Sequence, residues 1–252
     1  MMSHLKVETD ERGCRTLWLD RPEKRNALDA GFLNDLLDAA RCAAADETLR
    51  IVLLRSTSRV FCAGADLNDW ADVSPREAQR LSALGSHAFQ ALAELPMPTV
   101  AVLEGPALGG GLELALACDF RIATSAATTG FPEPRLGNSP AWGGMRRLIE
   151  AVGIARARDL LLTGDAISAL EAQRLGVIQR VSAPELFDAK LAELVNSILA
   201  CDAGTLVYIK SLLGSSAQFT AAQEAAVAGF TATRQESLDR KQKFLSSRRR
   251  TA

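Results

Sequence analysis

The chain has 252 residues, of which 48% are hydrophobic, 5% aromatic and 23% charged, and its formal net charge is −1. That length fits one large domain or one domain with an appendage, and the apolar fraction can fill a sizeable core. Near-neutral charge gives no global electrostatic case for nucleic acid, and so few aromatics offer little surface for stacking bases.

The first residues, Met1–Glu8, carry neither an apolar stretch nor an Arg-rich amphipathic pattern. They read as neither signal nor transit peptide, so the expected location is cytoplasmic. His4 falls in this segment, which reads as mobile. Arg15–Leu19 and Arg50–Leu54 read as strands. Between them Asp29–Ala45 reads as a helix, with Asp29 as its N-cap and Phe32, Leu33, Leu36 and Leu37 as its apolar face. A second helix is expected from Ser74 to Glu94, with Ser74 as cap, Pro75 as first helical residue and Glu77 closing a capping box. Strands at Thr99–Leu103 and Phe120–Thr124 flank a glycine turn and its helix. Repeated strand–helix units point to α/β architecture.

Beyond Gly143 the apolar period is helical, over Leu148–Leu162, Ala169–Leu175, Pro184–Leu199, Thr205–Leu213 and Gln218–Lys243, with one strand at Val177–Val181. No Gly/Ser linker separates the halves, so these helices are expected to pack on the α/β core. The basic end, Lys241 to Arg250, reads either as a solvated helix end or as a contact to a phosphate-bearing ligand or neighbouring subunit. No segment approaches the ~20 apolar residues that cross a membrane. Five cysteines (Cys14, Cys42, Cys62, Cys118 and Cys201) are scattered without a C-x-x-C pair. Their odd number, and the apolar neighbours of Cys62, Cys118 and Cys201, suggest reduced and mostly buried thiols. With His4 and His87 as the only histidines, neither a His-based triad nor a His-rich metal site is expected.

Three segments carry chemistry. Gly109, Gly110 and Gly111 stand between an apolar strand-like run and a helical pattern containing Glu113. Glycines there let the backbone approach a ligand and leave the first helical N–H groups free to donate, backed by the helix dipole. An anionic oxygen is the natural guest, with Glu113 beside it; the other reading is a packing contact with a solvated Glu. The spacing lacks the G-x-G-x-x-G of a dinucleotide site. A second small-residue turn, Val60–Leu67, could present the N–H of Ala65 and complete a two-donor oxyanion hole. By itself it could equally be an ordinary turn with Asp66 capping the residues after it. Third, Glu133 sits between Pro132 and Pro134, where the backbone is stiff, although a surface turn would use the same residues.

In chain order, Leu19–Leu28, Phe61–Leu67, Gly105–Asp119 and Pro132–Gly137 resemble the crotonase superfamily, the enoyl-CoA hydratase/isomerase family. The resemblance runs from about Val7 to about Val181, and its most specific pieces are Ala-Leu-Gly-Gly-Gly-x-Glu-Leu-Ala and Ala-Gly-Ala-Asp. It implies a spiral of ββα units with a C-terminal helical trimerisation region, divided as 1–195 and 196–252, and a homotrimer or dimer of trimers. It also implies a thioester oxygen held by the N–H groups of Ala65 and Gly110, with Glu113 mainly activating water and Glu133 mainly moving a proton at C2. Lys24, Arg25, Ala27 and Leu28 resemble the loop that contacts pantetheine and phosphate. Ala63, Gly64, Asp66 and Leu67 resemble the turn that lies against adenine. Leu108, Gly109, Pro132, Leu136, Gly137 and Trp142 complete the expected substrate-binding set.

Coenzyme A would be part of the substrate, with no separate cofactor. The sequence departs from the family at Gly137-Asn138-Ser139-Pro140-Ala141-Trp142-Gly143-Gly144, where Gly-x-x-Pro-Gly-x-Gly-Gly is usual. That is either drift at a helix start or an altered acyl pocket, shorter or suited to a polar acyl group. Trp70 either lines the acyl channel or packs. The implied activity is hydration of a 2-enoyl-CoA. Alternatives are a Δ3,Δ2-enoyl-CoA isomerase or another acyl-CoA lyase, and, from the basic tail alone, a binding protein for RNA or protein.

Overall fold

The computed structural model describes residues 4–214, 226–228, 230–231 and 234–248. The chain runs β1 (Leu5–Thr9), β2 (Cys14–Leu19), α1 (Ala30–Ala44), β3 (Ile51–Ser56), α2 (Pro75–Ala93), β4 (Thr99–Leu103), β5 (Ala107–Leu108), α3 (Gly110–Leu116), β6 (Phe120–Thr124) and β7 (Thr128–Gly130). It continues through α4 (Gly144–Val152), α5 (Ile154–Thr163), β8 (Ala166–Ser168), α6 (Ala169–Leu175), β9 (Arg180–Ser182), α7 (Phe187–Leu199), α8 (Ala203–Gly214) and α9 (Gln235–Arg248).

A strand that is apolar on both sides needs cover on both faces, which crossover helices supply to parallel sheets. The central strands here are of that kind. Val52, Leu54, Ala101 and Leu103 point into the main core with α1, α2 and α3. Their sequence neighbours Ile51, Leu53, Val100 and Val102 point the other way, onto Phe187, Leu191, Leu194 and Val195 of α7. The six-stranded sheet has the order β1-β2-β3-β4-β6-β9, antiparallel between β1 and β2 and parallel elsewhere. A smaller sheet, β5-β7-β8, stands beside it.

The N-terminal signals act as read. Asp29 accepts the N–H of Phe32, and Ser74 and Glu77 form a reciprocal capping box. Elsewhere the structure corrects the sequence. The run Leu148–Leu162 is two helices, α4 and α5, because Gly153 leaves the helical region with φ 78°. The strand expected at Val177–Val181 begins only at Arg180: Val177 and Ile178 pack in the main core, and their N–H groups close the end of α6 on Ala172 O instead of joining the sheet. Pro184–Leu186 form a 3-10 turn before α7. His4 is tied to α1: its backbone N–H donates to Asp35 Oδ2 (2.8 Å) and its ring stacks on Phe32. Cys14, Cys62 and Cys118 are buried, whereas Cys201, just past the end of α7, and Cys42 are exposed.

α7 ends at Leu199, and the chain then turns by 98° into α8. Lys210 anchors α8 to the core through Met97 O (2.9 Å) and Asp119 Oδ2 (2.7 Å). Of the helix expected at Gln218–Lys243, residues 218–225, 229, 232 and 233 lie outside the described residues, as do Arg249 and Arg250 of the basic tail.

Candidate active site

In open α/β sheets, ligands bind beyond the carboxyl ends of the strands. Here β3 leads into the turn at Val60–Asp66, β4 into Gly105–Gly109, and β6 with β7 into Pro132–Gly137. The first turn is held by a buried amide. Asn26, in the left-handed region (φ 54°), accepts the N–H of Arg21 on Oδ1. Its Nδ2 reaches Ser56 Oγ (2.8 Å), Val60 O (3.1 Å) and Phe61 O (3.0 Å). Asn26→Ala leaves those acceptors without a donor and should destabilise the protein by roughly 3 kcal/mol, lowering Tm by roughly 6–12 °C. A calorimetric melt coincident with the wild type would show that the loop is held by other contacts.

That anchoring fixes Ala65. Leu28 donates its N–H to Gly64 O (2.8 Å), and Asp66 donates its N–H to Leu28 O (3.0 Å). These two bonds bracket Ala65, whose own N–H has no acceptor among the described residues. The second donor comes from Gly109 and Gly110. Gly109, with φ 52° and ψ −124°, is the N-cap of α3, and its N–H goes to Gly130 O (2.9 Å). This leaves Gly110 as the first helical residue, with an N–H that has no partner within the helix. The two donors are close: a Cβ built on Gly110 would lie 3.4 Å from Ala65 N. No such Cβ fits, because it would overlap the ring of Trp142.

Two carboxylates face these donors. Glu113, 2% exposed, accepts on Oε1 the N–H groups of Trp142 and Gly144, each at 2.8 Å. Gly144 is the first residue of α4, so the carboxylate also sits at a helix N-terminus, which favours its charged form. Burial nevertheless dominates and holds its pKa above the ordinary glutamate value. Glu133 opens the 3-10 turn Glu133–Leu136 and rests against Gly109, where an added Cβ would meet Oε1 at 2.6 Å. Its Oε2 is buried with no hydrogen-bond partner among the described residues. Burial first, and the neighbouring Glu113 charge second, push its pKa up to about 7. Two carboxyl groups on one cavity, one held by two N–H donors and the other bare, can share one proton and one negative charge.

The donors and carboxylates open on one cavity of about 720 Å³. Of the residues singled out from sequence, Lys24, Ala27, Ala63, Gly64, Ala65, Asp66, Leu67, Gly109, Gly110, Glu113, Pro132, Glu133, Leu136 and Trp142 line it. Arg25, Leu28, Leu108 and Gly137 do not. Leu28 is buried and acts through its backbone, and Leu108 pairs its N–H with Cys62 O. Arg25 and Gly137 are exposed turn residues with positive φ. Asp66 accepts the N–H of Asn68 (3.1 Å) and ion-pairs with Arg21 (3.1 Å), so its carboxylate is used in holding the turn. Sequence reasoning missed the wall made by α2, where Ala78, Gln79, Ser82 and Ala83 line the cavity. The recurrence of small residues at positions i and i+4 of that helix, Ala78 and Ser82, was the available signal. Among the described residues, no group of three or more His, Cys, Asp or Glu side chains is placed to hold a metal ion.

The sequence matches the family described as enoyl-CoA hydratase/isomerase over residues 9–249. It is 42% identical over 179 residues to Enoyl-CoA isomerase/hydratase fer4 of Mycosarcoma maydis, a match covering 68% of this chain and 65% of that protein. The chain thus spans just under two thirds of that relative's length. It is 37% identical over 195 residues to Crotonyl-CoA hydratase of Syntrophomonas wolfei, covering 77% of this chain and 75% of that one. The fold superposes on the crystal structure of an enoyl-CoA hydratase from Bacillus anthracis with a TM-score of 0.92 and 28% identity, over 97% of each chain. Fold, sequence and the order of its site-bearing turns together place this chain in the enoyl-CoA hydratase/isomerase family, the crotonase superfamily.

Proposed function

We propose that the protein hydrates a 2-enoyl-CoA thioester. The observation that carries this reading is the presence of two carboxyl groups, Glu113 and Glu133, on one cavity beside two backbone N–H groups that have no acceptor among the described residues. The thioester oxygen accepts from Ala65 and Gly110, which draws electron density from C3 and stabilises the enolate-like oxyanion. Glu113, ionised and held through Oε1, takes a proton from water as its oxygen bonds to C3. Glu133, protonated, donates its proton to C2, and the two carboxyl groups exchange roles in the reverse direction. An isomerase shuttling a proton between C4 and C2 needs only one such group.

In this reading the loop of Lys24 and Ala27 and the turn at Ala63–Leu67 hold the coenzyme A portion, which belongs to the substrate, and no separate cofactor takes part. The C-terminal helices supply trimer contacts, and the protein acts in the cytoplasm. Rapid loss of the conjugated-enoyl absorbance of crotonyl-CoA on adding the protein is the expected result. Binding of acyl-CoA without that loss, together with turnover of a 3-enoyl-CoA, would replace hydration by isomerisation.

The ionisation of the pair sets the pH dependence. Above about pH 7 Glu133 loses the proton it donates, and at low pH Glu113 takes up the proton that disables it as a base. A bell-shaped kcat/KM profile is therefore expected, its alkaline limb near neutrality, with both apparent pKa values belonging to the pair. A profile that stays flat through neutrality and into the alkaline range would contradict the assignment.

A further inference from the structure

We infer that Trp142 is a specificity-determining residue, whose indole fills the inward acyl path and so denies the site any preference for a long acyl chain, while the cavity lining offers no partner to a charged one. The inference rests on the acyl-CoA reading above and specifies the substrate class of that same site. An acyl group whose carbonyl oxygen sits at Ala65 and Gly110 has two ways to continue beyond C3: inward between α3 and α2, or outward along α2.

The inward way is filled. The six-membered ring of Trp142 lies against Gly110 and its five-membered ring against Gly85 of α2, so that a Cβ on either glycine would overlap the indole. Nε1 donates to Leu81 O (3.3 Å), and Phe89 meets the ring edge-on with centroids 5.5 Å apart. The side chain is wedged between the two helices and 2% exposed. The backbone of the same residue holds Glu113, so the plug cannot move independently of the site.

The outward way is short. It passes Trp70, whose ring centroid lies 6.4 Å from that of Trp142, and ends at Gln79, Asn138 and Ser139, all exposed. α2 is fastened across it, since Ser82 and Ser86 both donate their hydroxyls to Ala141 O (2.8 and 3.1 Å). A methylene that leaves water is worth roughly fourfold in affinity, but methylenes passing this rim return to water and gain nothing.

Charge narrows the substrate further. Among the described residues lining the cavity, Lys24 is the one cation, and it belongs to the loop beside Asp66. Arg147 lies behind the indole, bonded to Trp142 O and Gln90 Oε1. A carboxylate at the acyl tip would therefore meet no cation in the lining and would share the cavity with Glu113 and Glu133.

The test is calorimetric binding of unreactive saturated thioesters (butyryl-, decanoyl- and glutaryl-CoA) to the wild type and to Trp142→Leu and Trp142→Ala. Leu keeps an apolar plug should the Ala variant fail to fold. The wild type should bind butyryl- and decanoyl-CoA within about threefold of each other, and glutaryl-CoA at least about tenfold more weakly. Either variant, if folded by its thermal melt, should favour decanoyl- over butyryl-CoA by about tenfold or more, because the chain gains the vacated space. Three results would overturn the inference while leaving the acyl-CoA reading intact. These are a wild type that already prefers decanoyl-CoA tenfold, folded variants with an unchanged preference, and glutaryl-CoA bound as tightly as butyryl-CoA. A wild type that binds none of the three overturns both.

Discussion

Glu133→Gln should lower kcat for crotonyl-CoA hydration by roughly 10²–10⁴-fold, the usual worth of a positioned proton donor, while butyryl-CoA still binds. The amide has the carboxyl group's shape but cannot deliver a proton to C2. Because Glu133 Oε2 has no hydrogen-bond partner among the described residues, the exchange breaks no hydrogen bond of that oxygen there. Glu113→Gln should cost a similar factor for a different reason. The amide oxygen can still accept the N–H groups of Trp142 and Gly144, so the start of α4 stays in place, but the base that activates water is gone. The double variant should be less impaired than the product of the two factors, since both groups act in one transition state. Steady-state absorbance assays with calorimetric binding as control separate these terms. Full hydratase activity in either single variant would mean that one carboxyl group suffices, and the two-carboxylate mechanism would fall.

How legible the site was depends on how each part is held. Gly109–Gly111 and Glu113 stood out because close backbone approach and a helix start each demand particular residues, and local sequence records such demands. The caps at Asp29 and Ser74 were legible for the same reason. The small sheet β5-β7-β8 was not: its strands are two or three residues long, too short for a period of two to declare itself. β1 was hidden because its residues after Leu5 are exposed, so its order comes from pairing with β2 and from Leu5 in the core, both long-range. The contribution of α2 was hidden as well. Its apolar face predicts burial, but which small residues border a cavity depends on Trp142, more than fifty positions away in the chain. Trp142 itself read as bulk in a glycine-rich stretch. Its matching glycine, Gly85, lies on another element, and single-sequence reasoning has no means of pairing them.

Exchanging the Ala65 amide for an ester, with lactic acid in place of alanine, should reduce kcat for hydration by about 10²–10³-fold and leave acyl-CoA affinity nearly unchanged. The exchange deletes one N–H and almost nothing else. That N–H has no acceptor among the described residues, and the neighbouring bonds run from Leu28 N–H to Gly64 O and from Asp66 N–H to Leu28 O. The ester weakens the acceptor at Gly64 O, which lowers stability modestly, so a thermal melt accompanies the assay. The catalytic loss is large because the donor is fixed before the reaction begins and faces the oxygen on which charge accumulates, so its full strength is felt only in the transition state. Gly110 alone then carries the oxyanion, supported by the short helix it opens. A folded ester variant with wild-type kcat would show that Ala65 N–H does not meet the thioester oxygen. The oxyanion would then lie elsewhere along the Gly109–Gly111 turn, and the carbon that Glu113 and Glu133 face would have to be reassigned with it.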